Sequence, residues 1–141
     1  MLVRLLYASR SVDKISPEMV DSIMAQARTN NPPHGLTGIL CFGGNIFVQV
    51  LEGGRTAVNT LYGDILRDPR HHDVQILHYE EITERRFAGW TMGQVNLGKL
   101  NTSVLLKYSE LPYLNPFAVS GLVSMALLDE LIATASIVGR A

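Results

Sequence analysis

The chain has 141 residues, of which 47% are hydrophobic and 18% are charged, and its formal net charge is −1 at pH 7. This composition predicts a folded domain with a substantial core and argues against a disordered chain. The near-neutral charge gives no general attraction to nucleic acid or to a membrane surface, so neither is an expected partner. A single cysteine, Cys41, excludes an internal disulfide and fits a reducing cytoplasm.

The first elements in chain order are a strand and a helix. Residues 3–8 form an apolar run that is interrupted only by Arg4, which predicts a strand. Ser16 is a good N-cap and Pro17 suits a first helical position, so a helix is expected to follow. It should end at residues 30–33, where two asparagines precede two prolines.

The next elements are a hairpin, a second helix and two further strands. Gly43-Gly44-Asn45 is a hairpin signal between two apolar strands. The second of these strands, residues 46–51, is apolar on both faces, so the sheet should be covered on both sides. A helix over residues 56–67 follows, and strands are predicted at 74–82 and 92–95.

This β-α-β-β-α-β-β order predicts a ferredoxin-like α/β (α+β) sandwich with two helices on one face of a mixed sheet. Residues 97–141 add a short helix near 103–110 and a long apolar helix over 116–138, both expected on the other face. We therefore divide the chain into residues 1–96 and a C-terminal helical extension, 97–141. Asp129 and Glu130 argue against a membrane span. The residues expected to face the sheet are Leu122, Met125, Leu128 and Ile132.

The sequence lacks the usual patterns of enzyme chemistry. The four histidines have no metal-ligand spacing, and no glycine-rich phosphate loop is present, so no metal site is expected. Cys41 lies within a strand without an evident base. Glu52 is the only candidate for acid–base catalysis, and a glutamate at a strand end is more often capping or solvated.

Three polar residues, Tyr7, Asn31 and Gln49, stand in otherwise apolar or structural positions. Each has an ordinary explanation: an edge tyrosine, an asparagine that closes a helix, and a glutamine bonded to the backbone. A shared site is the alternative. If the first and third strands are neighbours, Tyr7 and Gln49 point to one face, where Ile23 and Ile65 would flank a slot for a flat heterocycle.

These residues lie in motifs that resemble the BLUF family of blue-light sensors, which use FAD. The resemblance covers about residues 3–95. The motifs are LLYAS with Tyr7, NNPPHGLTGIL with Asn31, FVQVLEG with Gln49, DPRHHDV with Arg70 and His71, and ERRFAGWTM with Trp90 and Met92. The stretch after Asn96 is similar to short family members that end in two helices and carry no enzyme domain.

The resemblance implies a noncovalently bound FAD with its ring between the two helices. The cofactor-binding residues that it implies are Tyr7, Ile23, Arg28, Asn31, Gln49, Ile65, Asp68, Arg70 and His71. In light, Tyr7 would lose an electron and a proton, and the Gln49 amide would rotate or tautomerise, which shifts the absorption to the red. Asp64 departs from the family pattern, which often has a basic residue before Ile65.

The resemblance further implies a photoreceptor without catalytic turnover. Output would pass through Trp90, Met92 and the last strand to the C-terminal helices. The long helix predicts a homo-oligomer, or a complex with a separate signalling protein such as a cyclic-dinucleotide phosphodiesterase. Two alternatives are a flavin-dependent oxidoreductase, for which no nicotinamide or substrate motif is evident, and a colourless interaction domain that uses the C-terminal helix.

Overall fold

The structure is a computed structural model that describes residues 1–134 and residue 137. Within these residues the strands are β1 (Leu2–Ser11), β2 (Thr37–Gly43), β3 (Ile46–Gly54), β4 (His71–Ile82) and β5 (Gly93–Asn96). They form one five-stranded sheet in the order β4-β1-β3-β2-β5. The β2–β5 pair is parallel and the other neighbouring pairs are antiparallel.

The helices over the same residues are α1 (Pro17–Asn30), α2 (Arg55–Leu66), α3 (Thr102–Leu106) and α4 (Gly121–Ala133). The Ser16 hydroxyl accepts a hydrogen bond from the backbone N–H of Met19, as the predicted N-cap requires. The mixed sheet with its two crossover helices confirms the predicted ferredoxin-like sandwich.

The central strands β1 and β3 are covered on both faces, as the apolar pattern of β3 predicts. On one face, Leu5 and Leu51 pack in a cluster with Met24 of α1 and Val58 of α2. On the other face, Leu6, Val50 and their neighbours pack in a second cluster with residues of α3 and α4. Successive residues of a strand point to opposite faces, so each strand contributes to both clusters.

The strand β4 begins earlier than residue 74, the start predicted from the sequence. His71 pairs with Ser11, and His72 pairs with Arg10, so the polar residues just before the predicted strand extend the ladder with β1. Asp73 has a φ of 55° beside the irregularity between Ala8 and Arg10 in the partner strand. Long-range pairing therefore decides this boundary, which a local apolar pattern cannot detect.

The C-terminal helices are shorter than predicted. α3 ends at Leu106 rather than near residue 110, and α4 begins at Gly121 because the Ser120 hydroxyl caps it through Val123 N. The predicted helix start at Pro116 is wrong, and residues 135, 136 and 138 of that prediction lie outside the described residues.

The orientation of α4 was predicted only in part. Met125 and Leu128 are buried, as expected, and Ile132 is half-buried. Leu122 is 69% exposed, so its assignment to the sheet face is wrong. Leu127 and Leu131, which are not among the residues predicted to face the sheet, are also buried. No helix in the described part of the chain is long and apolar enough to cross a membrane.

Glu52 is neither solvated nor a capping residue, contrary to the sequence-based expectation. Its side chain is fully buried in β3, and a carboxylate oxygen lies 2.7 Å from the Arg4 guanidinium of β1. The polar break that Arg4 makes in the first strand is thus one half of a buried ion pair. Two strands that pair only in the folded chain bring these charges together.

Candidate functional site

A cavity of about 770 Å³ opens between α1 and α2 above the sheet. This volume lies within the range of small-molecule sites, roughly 300–1,000 Å³. The side chains that line it come from both helices, from the central strands and from the segment that connects α2 to β4. The site is therefore assembled from parts of the chain that are distant in sequence.

Tyr7 and Gln49 form the floor of the cavity. They are directly opposite each other on β1 and β3, and the Tyr7 hydroxyl donates a hydrogen bond to Gln49 Oε1. The other end of the amide, Nε2, lies 3.4 Å from Met92 Sδ and donates to it. Both ends of the buried glutamine are thus engaged, which avoids the cost of an unpaired amide, ~1–3 kcal/mol.

Tyr7 is held in its neutral form. Burial raises the pKa of its hydroxyl far above the usual value of a tyrosine, and the nearby Asp68 carboxylate adds to this shift. The ring of Tyr62 lies 5.8 Å from that of Tyr7, centroid to centroid. A neutral phenol that donates to an amide oxygen can release a proton only along that hydrogen bond.

The apolar walls come from the two helices. Ile23 of α1 and Ile65 of α2 both line the cavity and are half-buried. Their placement follows from helical spacing, since Met24 and Val58 on the inner sides of the same helices are buried in the core. The structure brings this predicted pair to opposite sides of one slot.

Asn31 lines the cavity directly after α1 and is only 3% exposed. Its backbone is fully used: its N–H donates to the Ala27 carbonyl at 2.8 Å, and its carbonyl accepts from His34 N and Leu36 N at 3.1 Å. Among the described residues its side-chain amide has no hydrogen-bond partner. A buried amide left free at a cavity wall is the kind of group that a ligand satisfies.

Asp68, Arg70 and His71 form a charged and polar rim near the start of β4. Asp68 and Arg70 are paired at 2.6 Å, and hydrogen bonds from Arg70 hold the pKa of the Asp68 carboxyl below its usual value. Arg70 also donates to Gln26 of α1 at 3.1 Å, across the cavity from its own segment. The rim therefore links α1 to the α2–β4 connection.

His71 connects the rim to the floor. Its Nε2 lies 2.6 Å from the Ile65 carbonyl, which can only accept, so this nitrogen carries the hydrogen. Its Nδ1 lies 2.7 Å from the Ser9 hydroxyl and, in the neutral ring, accepts from it. The ring thus joins the end of α2 to β1.

Two of the predicted residues lie elsewhere. Arg28 is exposed on α1 and does not line the cavity. Trp90 is buried in the cluster on the opposite sheet face, with its ring 6.4 Å from that of Phe87, centroid to centroid. Met92 is therefore the residue at Gln49. Asp64 does line the cavity, and its carboxylate pairs with Arg67 at 2.6 Å.

Several cavity residues were not singled out in the sequence. Gln26 and Thr60 lie on the exposed sides of amphipathic helices, and Leu40 and Phe47 lie in strand patterns typical of core. One signal was available for Gln26, which stands one helical turn after Ile23. Among the described residues, no group of three or more His, Cys, Asp or Glu side chains could hold a metal ion.

The residues present fit a flavin. A slot between two isoleucines suits a flat ring, the Asn31 amide is free to bond its polar edge, and the Gln49 amide lies at the cavity floor. The rim carries the Arg70 guanidinium, which can face an anionic tail. Apolar walls on two sides and polar groups at one edge suit a flat ring system whose two faces are apolar and whose edge is polar.

Comparisons with known proteins agree with this fit. Residues 2–93 match the family model described as BLUF, sensors of blue-light using FAD. The photoactivated adenylate cyclase subunit beta of Euglena longa is 38% identical over 92 residues, which cover 64% of this chain and 11% of that protein. The chain thus spans only a small part of the curated relatives that it matches.

Solved structures extend the likeness beyond the matched residues. BlsA in its photo-activated state has a TM-score of 0.81 and 32% identity, over 94% of this chain and 95% of that chain. Klebsiella pneumoniae BlrP1, solved with FMN and cyclic diGMP, has a TM-score of 0.70 and 34% identity, over 96% of this chain and 35% of that chain. The family model covers more than half of the sequence and includes the cavity floor and walls. The chain belongs to the BLUF family, the sensors of blue light that use FAD.

Proposed function

We propose that this protein senses blue light through a noncovalently bound FAD in the cavity between α1 and α2. The observation that carries the proposal is the hydrogen-bonded chain from Tyr7 through Gln49 to Met92 at the cavity floor. The family description supports FAD as the flavin, and BlrP1 was solved with FMN, so the ring is the part common to both.

In this proposal Ile23 and Ile65 hold the ring from its two sides, and Asn31 bonds its polar edge. Asp68, Arg70 and His71 contribute at the rim, nearer to the phosphates. The bound flavin supplies the absorption of blue light and, when excited, a strong one-electron oxidant.

Tyr7 is the electron and proton donor. Its raised pKa keeps the hydroxyl protonated at neutral pH, so the loss of an electron in light would be accompanied by the loss of this proton. The proton follows the hydrogen bond to Gln49 Oε1, which is the acceptor to which the Tyr7 hydroxyl donates. The oxidised ring stays in place because only 4% of the residue's surface is exposed.

Gln49 is the switch. Its amide has a donor end and an acceptor end, so rotation or tautomerisation exchanges the bonds to Tyr7 and Met92 without moving the backbone. With a flavin bound, the rearranged Gln49 amide would be able to donate to the flavin ring, and such a bond would shift the flavin absorption to the red. Return to the original arrangement in the dark completes the cycle.

The structural change that begins at Gln49 is transmitted from Met92 into β5, and from Trp90 into the apolar cluster beneath the C-terminal helices. Trp90 and Met92 both lie just before β5 and belong to the clusters on opposite faces of the sheet, so a change at Gln49 can reach both faces through this short stretch. Residues 97–141 act as the output segment in this proposal, and residues 1–96 as the flavin-binding part. The location is the cytoplasm, where the buried thiol of Cys41 stays reduced.

The output segment is proposed to bind a second protein surface. Among the described residues of this segment, four large apolar side chains are between 50% and 69% exposed: Leu106, Leu111, Tyr113 and Leu122. Such exposure favours a homo-oligomer or a separate signalling protein. The cyclase and BlrP1 relatives support an enzyme of cyclic-nucleotide signalling, including a cyclic-dinucleotide phosphodiesterase, as the regulated partner.

The test is the visible spectrum of the purified protein before and after blue light. We expect a flavin spectrum that shifts reversibly to the red and recovers in the dark. Bleaching in the dark by a nicotinamide reductant would instead indicate an oxidoreductase, and a colourless protein that takes up no added flavin would refute flavin-based sensing.

A further inference from the structure

A row of polar residues crosses the sheet on the face opposite to the cavity. Glu80 of β4, Arg4 of β1, Glu52 of β3 and Thr37 of β2 are consecutive partners in the strand ladders. Arg4 pairs with Glu52 at 2.7 Å and with Glu80 at 2.5 Å. The row lies at one end of a sheet face that is otherwise apolar.

Glu52 is the most deeply buried member of this row, with no exposed surface. Arg4 donates to its Oε2 at 2.7 Å, and the backbone N–H groups of Arg86 and Phe87 donate to its two oxygens at 3.1 and 2.7 Å. A buried carboxylate is tolerated only when it is paired and its lone pairs are bonded. Here the bonds reach beyond the sheet to the segment of residues 83–92, which we call the β4–β5 segment.

The β4–β5 segment runs from this anchor to the photoactive floor. Phe87 has no exposed surface, and its carbonyl accepts from Trp90 N at 3.0 Å. The Trp90 carbonyl in turn accepts from Gly38 N in β2 at 3.0 Å. Met92 follows two residues later on the cavity face, where its sulfur accepts from Gln49.

The backbone is closely packed at Gly38, where Trp90 bonds to β2. A Cβ at that position would lie 2.0 Å from the Val50 carbonyl oxygen, so the backbones of the two strands are in close contact where Trp90 bonds. The segment also contacts α4, because Arg86 pairs with Asp129 at 3.0 Å. One short segment thus touches the buried carboxylate, the glutamine amide and the output helix.

We propose that Glu52 is a positioning residue of the photoswitch. Its carboxylate fixes the backbone at Arg86 and Phe87 and thereby sets where Met92 Sδ sits against the Gln49 amide. Glu52 acts from the far face of the sheet and touches neither the cavity nor the amide. The inference rests on the proposed function, since it concerns the dark-state partner of Gln49.

The test variant is Glu52→Gln, with Glu81→Gln as the matched control. Glu81 lies on β4 in an exposed ion pair with Arg55, so the same change there removes a charge without touching the β4–β5 segment. In the test variant the introduced amide can still accept one backbone N–H, but its NH₂ group faces donors. The measured quantity is the dark-recovery rate after blue light, at equal flavin occupancy.

We expect Glu52→Gln to change the recovery rate by about threefold or more, which is a barrier change of roughly 0.7 kcal/mol. The control should change it by less than about 1.5-fold, because exposed ion pairs contribute little. A folded Glu52→Gln protein that recovers at the wild-type rate would overturn the proposal. If this variant does not fold, Arg4→Met/Glu52→Met removes both buried charges and is expected to change the rate in the same way.

A double-mutant cycle with Met92→Leu separates positioning from general destabilisation. Leucine keeps the volume of Met92 but removes the sulfur acceptor. The quantity compared is the change in the logarithm of the recovery rate that Glu52→Gln causes. If Glu52 acts by placing the Met92 sulfur, this change should be less than half as large in the Met92→Leu protein as in the wild-type protein. Equal effects in both backgrounds would assign Glu52 a structural role only. If the wild-type protein shows no light-induced spectral change at all, this result would instead count against the proposed function.

Discussion

Replacing Tyr7 by phenylalanine removes one hydroxyl from the cavity floor and leaves the ring. The ring contacts with Tyr62 and His71, at 5.8 and 6.4 Å between centroids, do not involve the hydroxyl and should persist. What is lost is the donor to Gln49 Oε1, in a site where Tyr7 is only 4% exposed. The substitution therefore isolates one hydrogen bond.

The stability cost follows from that bond. An acceptor left unpaired in a buried site costs ~1–3 kcal/mol. A domain of ordinary stability has ~5–15 kcal/mol, so the variant should stay folded and keep its flavin. Urea unfolding monitored by circular dichroism measures the free energy of unfolding. The ratio of visible to ultraviolet absorbance measures how much flavin the variant retains.

The photochemical effect should be far larger than the stability effect. Without the hydroxyl there is no proton to follow the electron, so we expect the reversible red shift to disappear. Tyr62→Phe is the matched control, because it makes the same chemical change on a neighbouring ring that does not bond Gln49. A Tyr7→Phe protein that still shifts and recovers, or a loss of the shift in Tyr62→Phe alone, would refute the assignment of Tyr7.

Four further predictions concern the amide, the cavity wall, pH and assembly. Gln49→Leu keeps the approximate size but removes both bonding ends, so we expect a flavin spectrum that is slightly shifted in the dark and does not switch; normal cycling would make the amide structural only. Asn31→Ala should weaken flavin affinity by about tenfold or more in a fluorescence titration, whereas Arg28→Ala, on an exposed residue off the cavity wall, should leave it unchanged within about twofold. Because burial raises the pKa of Tyr7, the native state keeps a proton that the unfolded state loses above pH ~10, so the contribution of Tyr7 to stability should hold below that pH and fall by up to ~1.4 kcal/mol per unit above it; urea unfolding should find the pH slope smaller by this amount in the Tyr7→Phe variant, while buried Cys41 adds a slope of its own in both proteins. Leu122→Glu, at a position that is 69% exposed, should lower the mass measured by light scattering, and a wild-type monomer at high micromolar concentration would refute the oligomer.

The sequence by itself determined the face of each central side chain. Period-two alternation places Tyr7 and Gln49 on one face of their strands, and helical spacing places Ile23 and Ile65 toward the same side. The Ser16 cap defined the start of α1, and the Gly43-Gly44-Asn45 turn defined the β2–β3 hairpin closely. These signals are local, so each could be identified without knowing how the chain folds back on itself.

Only the tertiary structure decided which distant residues meet. Arg4 and Glu52 are 48 positions apart, and neither residue alone indicates that the two charges are paired and buried. The choice of Met92 over Trp90 as the partner of Gln49 depends on the route of the β4–β5 segment across the end of the sheet, from the Glu52 anchor to β5. Likewise, Leu122 is exposed in the first turn of α4, which begins at Gly121 rather than at Pro116, while Met125 and Leu128 of the same predicted face are buried. In each case the deciding contact is between segments far apart in sequence, and the local pattern is compatible with more than one such contact.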